Sequence, residues 1–208
     1  MKVFQVVGVR KSGKTATVEI LIRLFRQKGL RVASVKCINC PVFTLDGNKS
    51  SNTSRHRAAG ADVVVAFGRK EVDFIYPGPP DMDKTLQMLS NDEPDYCIVE
   101  GGYEYDFPRI VCFRELSEIP ERLTERTFAI SGAGAETPLP ENINLPVFSA
   151  FTSASQLADL IEEKVPHVSF PVNRIPRPES CRNFCGGCRK HGNISGDMKT
   201  NLTETDET

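Results

Sequence analysis

The segment that decides the fold is KVFQVVGVRKSGKT, residues 2–15, which joins an apolar run to a loop with two glycines and a Lys-Thr pair. Its second part, GVRKSGKT at residues 8–15, fits G-x-x-x-x-G-K-[ST] at every fixed position. A triphosphate carries several negative charges, and a loop containing Gly8 and Gly13 can turn its backbone N–H groups toward them where a Cβ would obstruct. The segment therefore predicts a strand, a phosphate-binding loop (P-loop) and a helix whose N-terminal amides face the same phosphates.

Each residue of this loop has an expected contact with the nucleotide. Lys14 should reach the β- and γ-phosphates, and the hydroxyl of Thr15 should ligate Mg²⁺. The expected phosphate-binding residues are Gly8, Val9, Arg10, Lys11, Ser12, Gly13, Lys14 and Thr15. A chance match is the alternative, but the predicted strand ends at Gly8 and an amphipathic helix follows Gly13, as the motif requires.

A carboxylate at the end of a second strand should hold the Mg²⁺ or its water. The apolar run in DYCIVEGG, residues 95–102, leads into Glu100 and Gly101, which we predict to lie at the nucleotide. Glu100 is also the one candidate for a catalytic part, with an exposed glutamate that merely ends a strand as the alternative. Asp46 lies in the polar loop after the second strand, where it is either a contact to the γ-phosphate region or a solvated loop acid.

Short β-rich runs alternate with helical patterns over the first 165 residues, which is typical of a parallel sheet covered by helices. The predicted strands cover residues 2–7, 31–36, 61–67, 71–76, 96–99, 109–113, 127–131 and 147–149. The predicted helices cover residues 14–28, 55–59, 82–89 and 154–164. The polar stretch at residues 44–54 is predicted to be a loop. We therefore expect an α/β fold, namely a three-layer P-loop NTPase fold with a mostly parallel sheet, in a nucleotide-binding domain over residues 1–165.

Residues 166–208 lack apolar periodicity and are predicted to form an irregular, Cys-rich and partly disordered tail. Cys181, Cys185 and Cys188 have the spacing C-x-x-x-C-x-x-C, and His191 follows three residues later. Three thiolates and an imidazole could form a tetrahedral zinc site. Three thiolates could equally hold three irons of a [4Fe–4S] cluster. Free cysteines in a disordered tail are the third alternative.

The other cysteines call for separate interpretations. Cys37 and Cys40 form a C-x-x-C that could contact a metal or a substrate, pair with a second subunit as a half-site, or be two buried thiols. Cys97 and Cys112 stand singly in apolar runs and are expected to be small buried hydrophobes.

Composition excludes several classes of protein. A net charge of −1 provides no overall field that would favour nucleic acid or a membrane surface. The apolar run at the start is too short for a signal peptide, and no stretch reaches the ~18 apolar residues of a membrane span. We expect a cytoplasmic protein that binds neither nucleic acid nor membrane.

Several segments, taken in order, resemble the MobB family, the nucleotide-binding accessory proteins of molybdenum cofactor maturation. The resemblance covers about residues 1–165 and is carried by GVRKSGKT at 8–15, GLRVASVK at 29–36, RHRAAGAD at 55–62, VEGGYE at 99–104 and RIVCFRE at 109–115. It implies GTP binding, weak GTPase activity at most, a homodimer, and assistance to the nucleotidyltransferase that attaches GMP to molybdopterin.

The chain departs from the family pattern in three places. The family's histidine-rich segment after the second strand is replaced by Cys37-Ile-Asn-Cys40, its Gly-Lys-Asp-Ser/Thr is replaced by SSNTS at residues 50–54, and the Cys-rich tail is an addition. No Asn/Thr-Lys-x-Asp motif for guanine occurs, so GTP rather than ATP is implied by the resemblance alone.

The favoured function is a GTP-binding accessory protein in molybdopterin guanine dinucleotide formation, with a molybdopterin guanylyltransferase and/or a molybdoenzyme as partner. A nucleotide-dependent metal or Fe–S cluster chaperone, with the tail as carrier, is the first alternative, and a regulatory binding module without catalysis is the second. No residue stands out as a water-positioning glutamine or an arginine finger. Arg10 and Lys11 could act across a dimer interface, or they could be solvated charges.

Overall fold

The computed structural model of the chain describes residues 1–39 and 51–175. In chain order these residues form β1 (Lys2–Gly8), α1 (Lys14–Gln27), β2 (Val32–Lys36), α2 (Asn52–Ala58), β3 (Val64–Phe67), β4 (Val72–Ile75), α3 (Met82–Ser90), β5 (Tyr96–Glu100), β6 (Arg109–Cys112), β7 (Thr127–Ser131) and α4 (Ala154–Lys164). Two short 3₁₀ turns, Leu116–Glu118 and Pro120–Arg122, lie between β6 and β7.

The main sheet has five strands in the order β2-β5-β1-β6-β7, and every neighbouring pair is parallel. In the register of the central strands, Val6 lies opposite Glu100 and Gly8 lies opposite Cys112. The carboxyl ends of β1, β5 and β6 therefore meet at one edge of the sheet, which is where open α/β sheets bind ligands.

Helices cover both faces of this sheet, because alternate side chains of its buried strands point to opposite faces. One face packs Phe4 and Val6 of β1 against α1 and α4, and Phe25 of α1 stacks on Tyr96 with ring centroids 4.4 Å apart. The other face packs Val3 and its neighbours against α3. The predicted three-layer α/β fold with a parallel sheet is confirmed.

β3 and β4 correct the prediction that their segments join the main sheet. They pair with each other in antiparallel register, with Val64 opposite Ile75 and Phe67 opposite Val72, as a separate two-stranded sheet. Only residues 68–71 connect them. A connection this short can join antiparallel strands, whereas parallel strands need a crossover of about a dozen residues or more.

Two smaller predictions are also corrected. The segment 147–149 is not a regular strand, since Val147 forms a single parallel bridge with Ile130. The predicted loop at 44–54 ends early because α2 begins at Asn52. Its start is stabilised by Ser51, whose side chain accepts a hydrogen bond from the Ser54 N–H at 3.1 Å.

The last described residues run back along the domain. The Val168 N–H donates to the Met1 carbonyl at 3.1 Å, and the Val172 N–H donates to Asp83 at 2.7 Å. The Ile175 N–H donates to the Glu104 carbonyl at 2.9 Å, so the described chain ends beside the loop that follows β5. The domain boundary after residue 165 stays a prediction. None of the helices in the described ranges has the length and apolar character to cross a bilayer.

Candidate functional site

The P-loop connects β1 to α1, and close backbone contacts require its two glycines. Gly13 caps α1 with φ +94°, and a Cβ on it would lie 2.9 Å from the backbone nitrogen of Ala133. A Cβ on Gly8 would lie 2.2 Å from the carbonyl oxygen of Cys112 on the neighbouring strand. No side chain larger than hydrogen fits at either position without moving the backbone, so these glycines leave the loop amides open to a ligand.

Ser12 ties the P-loop to the loop after β7. Its carbonyl accepts a hydrogen bond from the Ala133 N–H at 2.9 Å, and its N–H contacts the Val9 carbonyl at 3.3 Å. The Ser12 side chain is fully buried, and its hydroxyl has no hydrogen-bond partner among the residues that the structure describes. A buried hydroxyl without a partner at a phosphate loop is consistent with a ligand that completes the site.

Lys14 lies folded over the loop, where its ammonium donates to the Val9 carbonyl at 2.5 Å. Partial burial lowers the pKa of Lys14, and the positive charge of Lys36 lowers it further. A phosphate oxygen is a better acceptor for an ammonium than a carbonyl, because the contact is then between opposite charges. The arrangement therefore fits an anion that draws Lys14 away from Val9.

Thr15, in the first turn of α1, contacts Glu100, the last residue of β5. The Thr15 hydroxyl donates to Glu100 Oε1 at 2.8 Å, and the ammonium of Lys36, at the end of β2, contacts the same oxygen. Glu100 is only 7% exposed. A hydroxyl and a carboxylate are the oxygen ligands that Mg²⁺ prefers, so the residues present fit a magnesium ion that accompanies a nucleotide. The structure therefore brings together the two residues that the sequence predicts to hold Mg²⁺.

Two residues at the site were not singled out from the sequence. The Tyr103 hydroxyl accepts from the Gly8 N–H at 2.7 Å and donates to the Gly8 carbonyl at 2.5 Å, so it holds both backbone groups of the first loop residue. Lys36 reaches Glu100 because β2 lies beside β5 in register. The sequence features that could have identified them are an aromatic residue directly after VEGG, for Tyr103, and a lysine at the carboxyl end of a predicted strand, for Lys36.

The loop after β5 is built around two glycines with positive φ. The Gly101 N–H donates to the Val6 carbonyl at 3.0 Å, which ties this loop to β1. A Cβ on Gly102 would lie 2.8 Å from the sulfur of Cys37. Cys37 is therefore packed beside the predicted metal side of the site, and its N–H donates to the Glu100 carbonyl at 2.9 Å.

Several predicted residues lie outside the described part of the chain, namely Cys40, Asp46, Cys181, Cys185, Cys188 and His191. Within residues 1–39 and 51–175, no cluster of three or more His, Cys, Asp or Glu side chains is placed to hold a metal ion. Cys97 and Cys112 are fully buried, as the sequence predicts, and burial raises the pKa of each thiol to about 12.

Comparison with known proteins agrees with this architecture. The family described as "Molybdopterin guanine dinucleotide synthesis protein B" (MobB) matches residues 3–132. A relative from Bacillus subtilis (strain 168), named "Probable molybdopterin-guanine dinucleotide biosynthesis adapter protein", is 25% identical over 148 residues, which are 71% of this chain and 85% of the relative.

Two solved structures share the fold. The crystal structure of Bacillus subtilis MobB is 23% identical, with a TM-score of 0.64 and coverage of 81% of this chain and 100% of that chain. The MobB protein homolog from Bacillus stearothermophilus is also 23% identical, with a TM-score of 0.59 and coverage of 77% and 96%. At this identity the solved structures show the fold, whereas the family match extends from β1 through β7 and confirms the resemblance. The chain belongs to the MobB family.

Proposed function

We propose that this chain is a GTP-binding accessory protein that assists the formation or delivery of molybdopterin guanine dinucleotide. The observation that carries the proposal is the contact, 2.8 Å long, between the Thr15 hydroxyl at the start of α1 and Glu100 at the carboxyl end of β5, beside an intact P-loop. The description of the Bacillus subtilis relative as an adapter protein in molybdopterin-guanine dinucleotide biosynthesis supports the pathway.

The site would bind the nucleotide through its phosphates. The loop amides from Val9 to Thr15 would surround the β- and γ-phosphates at the start of α1. Lys14 would exchange its contact with the Val9 carbonyl for a phosphate oxygen. Thr15 and Glu100 would hold Mg²⁺, which offsets phosphate charge when bound. Guanine as the base, and Gly101 as a nucleotide contact, rest on family membership and on the position of the β5 loop.

The geometry supports binding better than hydrolysis. Glu100 is the candidate base, but its Oε1 already accepts from the Thr15 hydroxyl and the Lys36 ammonium, so this oxygen is not placed to take a proton from water. Fast phosphoryl transfer requires a group that positions water or neutralises transferred charge. We therefore propose slow GTP hydrolysis at most, with Arg10 and Lys11 of the loop as the residues that a second subunit or a partner enzyme would recruit.

An apolar face on the β3–β4 sheet supports a homodimer. Six side chains on this face are each at least 40% exposed: Val63, Val65, Phe67, Val72, Phe74 and Tyr76. Phe67 is 86% exposed and Phe74 60%. An isolated two-stranded sheet is marginally stable in water, and an exposed apolar patch of this kind marks an interaction surface. We propose that a second copy of the chain covers it.

The remaining partners follow from the pathway. We propose a molybdopterin guanylyltransferase and/or a molybdoenzyme as the client, in the cytoplasm, without nucleic acid or membrane. A metal centre on the tail, either zinc with His191 or a [4Fe–4S] cluster on the three tail cysteines, is a separate proposal about residues outside the described ranges. No observation on the described residues favours the metal or Fe–S chaperone, and none of the three similar proteins above is named as one.

The proposed function is tested by titrating a fluorescent GTP analogue, with and without Mg²⁺, into the protein and two variants. Lys14→Ala should lower affinity at least tenfold, because a charge-assisted contact contributes ~1.5–3 kcal/mol. Thr15→Ala should reduce the Mg²⁺ dependence more than the affinity itself. Lys28→Ala is the matched control and should bind the GTP analogue normally. It removes a lysine at the C-terminal end of α1, away from the P-loop, that pairs with Asp159. Unchanged affinity in Lys14→Ala, or tighter binding of ATP than of GTP, would contradict the proposal.

A further inference from the structure

Lys36 places a positive charge in direct contact with Glu100. β2 and β5 are adjacent and parallel, and Lys36 lies opposite Glu100 in their register. From there the ammonium contacts Glu100 Oε1, the same oxygen that accepts from the Thr15 hydroxyl at 2.8 Å. A nearly buried carboxylate is stabilised by a counter-charge and by hydrogen bonds, and these two contacts supply both.

A magnesium ion held by Thr15 and Glu100 would lie close to the carboxylate oxygen that Lys36 contacts. A divalent cation and an ammonium repel each other, so binding of one at Glu100 disfavours contact by the other. The Lys36 side chain is 52% exposed, and it therefore has room to leave Glu100 without unpacking the core. Two arrangements would therefore compete, one with Lys36 on Glu100 and one with the metal on Glu100.

We propose that Lys36 is a positioning residue that holds Glu100 in place of the divalent cation and is displaced when Mg²⁺ arrives with a nucleoside triphosphate. This inference rests on the proposed function, because it concerns the same nucleotide site. Its consequence is that Glu100 is already held in position before the nucleotide binds. Mg²⁺ then binds in competition with an internal cation, so the nucleotide-free protein has little affinity for the metal alone.

The test measures affinity for a fluorescent GTP analogue over a Mg²⁺ series, from excess chelator to saturation. Lys36→Met keeps the aliphatic stem and removes the charge. Lys36→Gln is a second neutral variant in case the first does not fold, as judged by circular dichroism. Lys36→Arg keeps the positive charge. Lys28→Met is the matched control, because it removes a lysine from a surface ion pair with Asp159 that is 3.3 Å long.

Loss of the competing charge should lower the half-saturating Mg²⁺ concentration about tenfold in Lys36→Met, which corresponds to one charge-assisted contact. Without Mg²⁺ the same variant should bind nucleotide more weakly than the wild type, because the charge of Glu100 then opposes the phosphates. Lys36→Arg and Lys28→Met should behave as the wild type. A merely structural role would lower affinity by one factor at all Mg²⁺ concentrations, and that result, or an unchanged midpoint, overturns the inference.

A second readout separates this inference from the proposed function. Thermal unfolding without nucleotide should show that Mn²⁺ stabilises Lys36→Met more than the wild type, since only the variant lacks an ammonium in contact with Glu100. If the wild type binds no GTP analogue, the proposed function fails while the Mn²⁺ effect still decides the role of Lys36. If Mn²⁺ stabilises variant and wild type equally, the role proposed for Lys36 is wrong even where GTP binds.

Discussion

Replacement of Gly13 by alanine tests whether the P-loop geometry depends on contact with the loop after β7. Gly13 has φ +94°, and Gly60 has φ +97°, so alanine suffers similar backbone strain at both positions, ~1–2 kcal/mol. A Cβ at Gly60 would meet nothing within 4 Å. A Cβ at Gly13 would lie 2.9 Å from the Ala133 nitrogen and 3.1 Å from the Gly132 Cα, both backbone atoms. Gly60→Ala is therefore a control in which strain occurs without the clash.

Relief of that clash requires movement of the P-loop or of residues 132–133. Overpacking of this kind costs about 1–3 kcal/mol, so Gly13→Ala should lower the free energy of unfolding by ~2–5 kcal/mol and Gly60→Ala by only ~1–2. The displaced amides should also lower GTP-analogue affinity at least tenfold in Gly13→Ala, while Gly60→Ala binds normally. Urea denaturation and fluorescence titration measure both quantities. Equal destabilisation by the two substitutions, or normal nucleotide affinity in Gly13→Ala, would refute the reasoning.

Four further predictions follow from single features. Tyr103→Phe removes the hydroxyl that hydrogen-bonds both backbone groups of Gly8. It should lower the free energy of unfolding by ~1 kcal/mol and the nucleotide affinity severalfold. Normal values for both would contradict a role of Tyr103 in holding the P-loop. The double substitution Phe67→Ser and Phe74→Ser should convert a dimer to a monomer in sedimentation while nucleotide binding persists, and an unchanged mass would place the dimer interface elsewhere. Burial raises the pKa of the Cys112 thiol from an ordinary 9.0 to about 12, so this thiol should resist iodoacetamide at pH 8 until urea unfolds the protein. The free energy of unfolding should also fall as the pH rises above 9, because the thiol loses its proton in the unfolded chain before it does so in the folded one. Alkylation of Cys112 in the folded protein would contradict its burial. Anaerobically purified protein should contain zinc, or iron with sulfide, bound by Cys181, Cys185 and Cys188. Substitution of all three cysteines by serine should remove this metal without changing nucleotide binding. A wild-type protein without metal would refute a metal centre on the tail.

The sequence by itself determined the P-loop, the succession along the chain of the helices and strands that build the main sheet and its cover, and the family. These features are local. The glycines and the lysine of GVRKSGKT lie within eight residues, and the spacing of apolar side chains within a segment predicts whether it forms a strand or a helix. Glu100 could be proposed for the same reason, since a carboxylate directly after a buried strand must lie at the carboxyl edge of a parallel sheet.

Only the tertiary structure decided which residues meet at that edge. Lys36 contacts Glu100 across 64 residues of sequence, and Tyr103 holds Gly8 across 95. Both contacts exist because β5 lies between β2 and β1, an order that periodicity within a segment does not encode. The β3–β4 segments likewise have the composition of main-sheet strands, yet a four-residue connection made them an antiparallel pair with one uncovered apolar face. Strand order and chain connection are long-range properties, which is why the residues that depend on them could not be identified from local patterns.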